Sequence, residues 1–343
     1  MIFRNAVHKA GRLEMARQSG FGLIELMVAI TIGLLLTVAM LTLYVDVGRS
    51  NNEMNKANTL MENGRFALQL LQSDVSHAGF WGEVDNSLAA PTAIPSLCAT
   101  STWSTSGANL MGVPVQGFTS GTSLSACSSG LADAVSGESV LAVVHANTCF
   151  RGGDCESGDT GPHFQVSTCD GVAAGSYVIA GAPDSASLTL TKKDCVTSAE
   201  LRKVVSSIYY VASRNNIPTL MRASLVNGAY EIEPLVEGVE RFWVEYGVDS
   251  LGRNGLAIST SNPGDGSADQ YVSCAPCTLP QLANVVSVKV HLLVRSLEST
   301  AGYADAKTYV LGSRTVAAND SFKRHVFSST IRLVNPSSRR EVP

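Results

Sequence analysis

An uninterrupted apolar segment at residues 21–45 constrains this chain more than any other feature of its sequence. The segment reads FGLIELMVAITIGLLLTVAMLTLYV. At about 1.5 Å per residue, a helix of this length can cross the ~30 Å hydrocarbon core of a bilayer. A secretory signal has a shorter apolar region, about 7–15 residues, followed by a small-residue cleavage site. We therefore predict a transmembrane helix at residues 21–45.

The charges that precede this segment predict its orientation. Residues 1–20 carry Arg4, Lys9, Arg12 and Arg17 against the single acidic residue Glu14. Because basic residues favour the cytoplasmic side of a membrane helix, we expect the C-terminal body to be exported. Without this stretch the 25 basic residues fall to 21 and the 29 acidic residues to 28, a net charge of −7. Such a body is poorly suited to general nucleic-acid binding, and we predict none.

One carboxylate lies within the apolar segment. Glu25 is the only side chain of residues 21–45 that is charged at neutral pH. A charge at bilayer depth costs roughly 2.5–3.5 kcal/mol even on the lowest insertion scale. An interaction that offsets this cost is therefore expected for Glu25.

The helical pattern continues beyond the membrane segment. Small and apolar residues recur at spacings of three and four, and the chain has no proline before Pro91; the repeating positions are Ala57, Leu60, Met61, Gly64, Ala67, Leu68, Leu71, Val75 and Ala78. This spacing is typical of an amphipathic helix. We predict one helix from Phe21 to about Ala78, in which residues 46–78 are an amphipathic continuation packed on a globular domain.

The start of this helix resembles the cleavage and assembly motif of type IV prepilins. The resemblance is carried by Gly20, Phe21 and Glu25 in the sequence GFGLIE, by the basic leader and by the apolar helix. It implies that a prepilin peptidase removes residues 1–20 by cutting between Gly20 and Phe21, and methylates the new amino terminus of Phe21. The carboxylate of Glu25 would then pair with the terminal ammonium of a neighbouring subunit, because a buried charge is far less unfavourable when paired. The alternative is a single-pass anchor in which Glu25 lies at the lipid interface.

The exported body is predicted to be rich in β-structure. Residues 79–135 are rich in Ser, Thr and Gly, and we expect an irregular region there. Residues 136–335 form the predicted head, and residues 336–343 a loose tail. Candidate strands in the head are ESVLAVVHA, HFQVST, SYVIAG, SLTLTK, VVSSIYYVAS, RFWVEYGV, SVKVHLLVRS and FSSTIRLV. The last three alternate with period two, which predicts antiparallel strands covered on one face by the amphipathic half of the helix, an α+β fold.

The last third of the head carries a second resemblance. The stretches PLVEGVERFWVEYGVD, VVSVKVHLLVRS and FKRHVFSSTIRLVN resemble the PilW family of minor pilins and, more distantly, the J-type pseudopilins of type II secretion. Residues 80–200 carry no such resemblance. The family implies a pilin-like fold.

Eight cysteines lie in the exported part, where an even count predicts disulfides. Sequence alone allows 105 pairings of eight cysteines. Proximity along the chain favours the pairs Cys149–Cys155, Cys274–Cys277, Cys98–Cys127 and Cys169–Cys195.

No motif for catalysis or for metal binding stands out, and we predict neither an enzyme nor a cofactor. Asp265, Ser267 and Asp269 alternate like the start of a calcium loop, but Pro276 occupies the position of the glutamate that completes it. We interpret them as turn residues and keep calcium as a weak alternative. The basic group at Lys323, Arg324, His325 and Arg332 could contact DNA or an acidic partner, but a charged, solvated strand edge explains it better.

The resemblance implies a minor pilin that helps to initiate the type IV pilus and caps it as part of a tip complex. The implied partners are other minor pilins, the major pilin, the prepilin peptidase, the assembly platform with its ATPase, the inner membrane and a candidate tip adhesin. The family is associated with twitching motility and cell adhesion. Two alternatives stay open: a pseudopilin of type II secretion, and a membrane-tethered periplasmic enzyme or receptor with a convergent polar pocket.

Overall fold

The computed structural model of the chain describes residues 20–84, 89–98, 102–119, 131, 133–153, 158–171, 176–274 and 276–341. Two compact units meet between Met54 and Asn55. The fold is α+β, as predicted, with a long N-terminal helix followed by antiparallel sheets.

Helix α1 extends without interruption over Leu23–His77. Within the first unit, every side chain from Gly20 to Asn52 is exposed. Helix α1 is the one helix in the described part of the chain that is long and apolar enough to cross a membrane. The threonine hydroxyls of its apolar part are satisfied within the helix: those of Thr31, Thr37 and Thr42 donate to backbone carbonyls three or four residues earlier. Internal pairing of polar groups is what a lipid environment requires.

In the second unit, the same helix is amphipathic and packs on the head. Five buried residues of the helix, Leu60, Gly64, Ala67, Leu71 and Val75, follow one another at spacings of three or four. Gly64 is the point of closest approach, because a Cβ atom there would lie 2.2 Å from Cε2 of Phe327. Glycine therefore lets the helix backbone lie directly against the aromatic ring.

A seven-stranded antiparallel sheet forms the first part of the head. Its strands are β1 (Val115–Thr119), β2 (Ser139–Ala146), β3 (His163–Val166), β4 (Tyr177–Ala180), β5 (Arg202–Arg214), β6 (Ile217–Val226) and β7 (Ala229–Glu237). Their order is β1-β2-β5-β3-β4, and β6 joins β5 to β7. Both faces of β2 are buried, since Leu141 and Val143 belong to the core beneath α1 whereas Val140 and Ala142 belong to a second core.

A four-stranded antiparallel sheet packs against the helix. It comprises β8 (Val239–Val248), β9 (Gln270–Val272), β10 (Val285–Arg295) and β13 (Arg324–Arg332), in the order β13-β10-β8-β9. The remaining described elements are the hairpin β11 (Thr308–Leu311) and β12 (Arg314–Ala317), and the short helices α2 (Gly107–Gly112), α3 (Leu279–Ala283) and α4 (Val334–Glu341).

The predicted helix-facing residues of the four-stranded sheet are buried. Phe242, Val244 and Tyr246 of β8 share the core beneath α1 with the alternating valines and leucine of β10. The prediction that the opposite face is polar and open is wrong for β10. Ser287, His291 and Leu293 on that face of β10 are buried. The β11–β12 hairpin packs on the same face of neighbouring β8, where the backbone amide of Ser313 donates to Glu245 at 2.8 Å and Arg314 lies over the ring of Trp243.

Three further expectations are wrong. Residues 79–135 are not uniformly irregular, because they contain α2 and β1. The segment SLTLTK (187–192) is not a strand, because the buried side chain of Gln165 hydrogen-bonds both backbone groups of Leu190. Residues 336–341 of the predicted tail are not loose: they lie in α4, in which Arg340 donates to the carbonyl of Ala283 at 2.8 Å.

The β6–β7 hairpin was not predicted, although the sequence carries a signal for it. Asn227 and Gly228 both have positive φ, 50° and 82°. An Asn-Gly pair with positive φ at both positions is the preferred two-residue turn of a β-hairpin. The dipeptide stands between residues that the structure pairs, Val226 and Ala229.

Candidate functional site

The predicted cleavage site lies immediately before helix α1. Gly20 and Phe21 precede the first helical residue, and the Phe21 side chain is 81% exposed. The peptide bond between them is therefore outside the helical hydrogen-bond ladder, where a peptidase can reach it.

Glu25 lies in the first turn of α1, and its side chain is exposed. Its backbone amide donates to the carbonyl of Gly22 at 3.0 Å, which closes the turn. A carboxylate in this position interacts favourably with the partial positive charge of the helix N-terminus. That interaction alone is worth less than the cost of moving a charge into a bilayer, so it does not compensate the charge of Glu25 fully. Because the side chain is exposed, a cation from outside the chain can pair with it.

A polar cluster joins the helix to the seven-stranded sheet. The Asp74 carboxylate accepts a hydrogen bond from the Tyr209 hydroxyl at 2.8 Å and faces Nε2 of His145 at 3.1 Å. Nδ1 of His145 lies 2.8 Å from the carbonyl of Ala146. The helical spacing alone gives no sign of this role for Asp74.

The Asp74 carboxyl has a lowered pKa. Burial raises its pKa, but the hydrogen bond from His145, the charge of His145 and the hydrogen bond from Tyr209 together outweigh burial. Burial and the nearby carboxylate also raise the pKa of Tyr209, which keeps its hydroxyl a donor. The cluster is therefore a structural clamp with an ionised centre.

Replacing Asp74 with alanine is expected to lower the free energy of unfolding by about 2–3 kcal/mol at neutral pH, since the Tyr209 hydroxyl and His145 lose their acceptor. A group with a lowered folded-state pKa stabilises above its unfolded pKa, and this stabilisation is lost as pH falls through the folded value. The difference between wild type and Asp74→Ala should thus shrink below about pH 4. Denaturant unfolding of the detergent-solubilised protein, followed by the fluorescence of buried Trp81 and Trp103, measures both effects.

Ser73→Ala is the matched control, because Ser73 is exposed on the same turn of the helix. It should change stability little. Equal losses in the two variants, at any pH, would contradict a specific role for the Asp74 clamp.

Arg324 is the centre of a second buried cluster. Its guanidinium contacts Glu240 at 2.6 Å, Asp305 at 3.1 Å and Asp320 at 2.6 Å, and its side chain is 3% exposed. Its hydrogen bond to Asp320 is the main reason why the pKa of that carboxyl is lowered to about 2. The interpretation of this basic group as a solvated, charged strand edge is therefore wrong for Arg324.

Two disulfides are formed between described cysteines, Cys169–Cys195 and Cys274–Cys277, and both are pairs that proximity along the chain favours. Cys98 and Cys149 are also disulfide-bonded. Their predicted partners, Cys127 and Cys155, lie outside the described residues. Cys274 and Cys277 belong to the core beneath α1, where they close the loop that leads into α3.

The weak calcium candidates are already engaged in turns. The Asp265 carboxylate accepts from the amide of Ser267 at 2.8 Å, and that of Asp269 accepts from the amides of Ser250 and Leu251. No cluster of three or more His, Cys, Asp or Glu residues suited to a metal occurs within the described part of the chain.

A polar cleft of about 480 Å³ in the head bears on the enzyme alternative. Asp159 in this cleft forms an ion pair with Lys203, and its backbone carbonyl accepts from Arg151 at 2.7 Å. His163 contacts the carbonyl of Gly161 at 2.9 Å, and burial lowers the pKa of its imidazole. These polar groups bond to one another or to the backbone, which is the pattern of a structural network rather than of a nucleophile beside its base.

Comparison with known families finds two matches. The family described as Type IV Pilus-assembly protein W matches residues 208–335, which run from within β5 to the first residues of α4. The Prokaryotic N-terminal methylation motif matches residues 15–41, which include Gly20, Phe21 and Glu25. No curated protein and no solved structure is significantly similar to the chain. The family match over the hairpins and the four-stranded sheet and the methylation motif at the start of the helix together support a PilW-type, type IV pilus-related pilin.

Proposed function

We propose that this chain is a minor pilin that helps to initiate assembly of the type IV pilus and caps it within a tip complex. The leader is removed between Gly20 and Phe21, and Phe21 receives an N-methyl group. Before assembly, the processed protein is anchored in the inner membrane with its head in the periplasm. Its work is structural rather than enzymatic.

One observation carries this proposal: the first turn of an exposed apolar helix holds the only charge between Phe21 and Val45. Cleavage would create an ammonium at Phe21, four residues before that carboxylate. When helices of neighbouring subunits pack, the Glu25 carboxylate of one can meet the terminus of the next. Because a buried charge without a partner is strongly unfavourable, such a pair selects one axial register between subunits.

The position at the tip is supported by the size of the head. The second compact unit starts at Asn55 and extends to the C-terminus, which makes it much larger than the head of a typical major subunit. A subunit with such a head suits a place occupied once rather than one repeated along a filament. The proposed partners are other minor pilins, the major pilin, the prepilin peptidase, the assembly platform with its ATPase, and a tip adhesin.

The mature N-terminus gives the most direct test. Intact-mass and peptide analysis of the membrane-extracted protein should find a chain that begins at Phe21 and carries one added methyl group. The matched control is Gly20→Leu, which should retain the leader, since the glycine before the cut is part of the resemblance to prepilin cleavage motifs. A wild-type protein that keeps residues 1–20 would refute the proposal.

Gene deletion distinguishes the pilus from the type II secretion alternative. Loss of surface pili with normal protein secretion supports the proposed function. Loss of secretion with normal piliation would assign the chain to a secretion machine instead.

A further inference from the structure

Among the described residues, the four-stranded sheet ends at strand β13, whose outer edge is open. The nine residues of β13 pair with β10 along their whole length, from Arg332 opposite Ser287 to Arg324 opposite Arg295. No second strand pairs with β13 in the described part of the chain.

The register identifies which backbone groups of β13 face outward. The amide of Leu333 donates to the carbonyl of Val286, and the amide of Ser296 donates to that of Lys323. Because hydrogen-bonded and non-hydrogen-bonded pairs alternate in an antiparallel ladder, the odd-numbered residues of this stretch face β10. The amides and carbonyls of Val326, Ser328 and Thr330 therefore point to the free edge, and no hydrogen bond between described residues uses them.

The other long edge of the head is guarded. Strand β7 carries Glu231, Glu233 and Glu237 together with Pro234. Charges and proline are the usual means by which proteins protect strand edges from pairing. The outer strands β1, β4 and β9 have only five, four and three residues, and short edges are protected by their length.

Strand β13 has none of these protections along its middle. The six residues from Val326 to Ile331 contain no charge, no proline and no glycine. Arg324 is turned into its buried cluster, and Arg332 pairs with Glu341. The chain thus protects one long edge and leaves the other available.

The direction of β13 relative to the helix argues against antiparallel pairing of two copies through β13. Gly64 lies against Phe327, and the carbonyl of His77 accepts from Asn335, so the helix and β13 run in the same direction. Two copies that paired antiparallel through β13 would have helices pointing in opposite directions. Subunits anchored in one membrane share a helix direction, so this symmetric pairing does not suit them, and we take a segment of a different protein as the occupant.

The helix also indicates the chemistry of that partner. Asn63 donates to the carbonyl of Glu237, so this flank of the helix faces the start of β8. At 100° per residue, half-buried Met61 and Leu68 and exposed Arg65 lie on the opposite flank, which is the side of β13. No ion pair to Arg65 is formed by the described residues. A strand beside β13 would meet apolar side chains and one unpaired cation.

We propose that the β13 edge binds an extended segment of another pilus component by strand addition. The segment alternates apolar and polar residues, directs its apolar side chains toward Met61 and Leu68, and carries a carboxylate for Arg65. Backbone hydrogen bonds provide the affinity, and the alternate side chains provide the specificity. The identity of the partner as a pilus component rests on the proposed function; the binding edge itself does not.

Thr330→Pro tests the edge with little damage to the fold, because the amide of Thr330 points away from β10 and proline is tolerated at such positions. Thr330→Val, which keeps the amide, is the matched control. The probe is a labelled synthetic peptide about as long as β13, of alternating valine and threonine with one glutamate. We expect the full-length protein in detergent to bind it and to show slower hydrogen exchange at Val326, Ser328 and Thr330. Binding should weaken at least tenfold for Thr330→Pro and stay unchanged for Thr330→Val.

A peptide N-methylated at alternate amides should not bind the wild-type protein, a readout that does not depend on how the proline variant folds. Absence of binding to wild type, or equal binding to Thr330→Pro, would overturn the proposed edge. In cells, Thr330→Pro should reduce piliation and Thr330→Val should not. Normal piliation by a variant that no longer binds the peptide would overturn the assignment to a pilus component. Normal piliation after deletion of the whole gene would refute the proposed function and leave the peptide result standing.

Discussion

Glu25→Ala should leave the protein in the inner membrane but abolish its incorporation into pili. Alanine removes the one charge between Phe21 and Val45, which makes membrane insertion more favourable by roughly 2.5–3.5 kcal/mol. The same change leaves the terminal ammonium of a neighbouring subunit without its partner, and breaking a buried pair costs about 3–5 kcal/mol. A loss of that size is a factor of a hundred or more in an equilibrium between subunits in the membrane and subunits in the filament, at about 1.4 kcal/mol per tenfold.

Glu25→Gln distinguishes the effect of losing the charge from the effect of shortening the side chain. Glutamine keeps the length of the side chain and loses its charge, so it should fail to the same extent as alanine. Ile24→Ala, one residue earlier and equally exposed, should incorporate normally. Immunoblots of sheared pili and of membrane fractions measure the ratio of incorporated protein to membrane protein. The mass of the membrane form verifies that each variant is still cleaved. Normal incorporation of either Glu25 variant would contradict the pairing.

Arg324→Ala should lower the free energy of unfolding by about 3–5 kcal/mol, because it removes the cation from a buried cluster and leaves its carboxylates uncompensated. Asp305 is the most costly of these, since its side chain is fully buried. Glu240, at 18% exposure, loses two hydrogen bonds from the same guanidinium. Denaturant unfolding of the full-length protein in detergent measures the loss.

Arg332→Ala is a strict control for this variant, because Arg332 lies in the same strand and also pairs with a carboxylate. Its side chain is 51% exposed and its partner Glu341 is 49% exposed. Exposed ion pairs are worth about 0–1 kcal/mol, so this substitution should have little effect. Similar losses in the two variants would show that β13 is sensitive to any charge removal.

The pH dependence gives a second measure of the Arg324 cluster. The pKa of Asp320 is about 2 in the folded protein, below its ordinary value of 3.8, mainly because of its hydrogen bond to Arg324. The stabilisation is complete above the ordinary pKa and is lost as pH falls toward 2. The stability difference between wild type and Arg324→Ala should therefore narrow over this interval. A difference that is constant with pH would exclude the Asp320 pair as a contributor.

Several features of the protein follow from local sequence alone. The apolar segment, the glutamate in its first turn and the glycine before Phe21 are properties of adjacent residues, and they indicate a membrane helix with a processing motif without any tertiary information. The burial of Leu60, Gly64 and Leu71 also follows from spacing, because a helix with one apolar stripe must cover it. The burial of the alternating valines of β10 likewise follows from their spacing in the sequence. The Asn-Gly turn at Asn227 shows that such local signals also extend to an element that the sequence analysis missed.

Other features depend on which residues the fold brings together. Asp74 and Arg324 look like solvent-facing charges in the sequence, but each lies in a buried cluster whose partners come from distant segments: His145 and Tyr209 for the first, Glu240 and Asp305 for the second. No local pattern marks such a partner. A charge can be buried only when the fold supplies its counter-charge and hydrogen bonds, so tertiary structure alone decides its role.

The N-terminal helix and the head differ in the same way. The apolar helix and the methylation motif are properties that adjacent residues carry by themselves, since hydropathy and a short motif act locally; these the sequence determined. Whether a strand edge is open, whether the C-terminal residues are loose, and which face of β10 is covered depend on segments that are far apart in the chain. Only the tertiary structure decided these features, because a strand edge is open only if no other segment of the chain pairs with it.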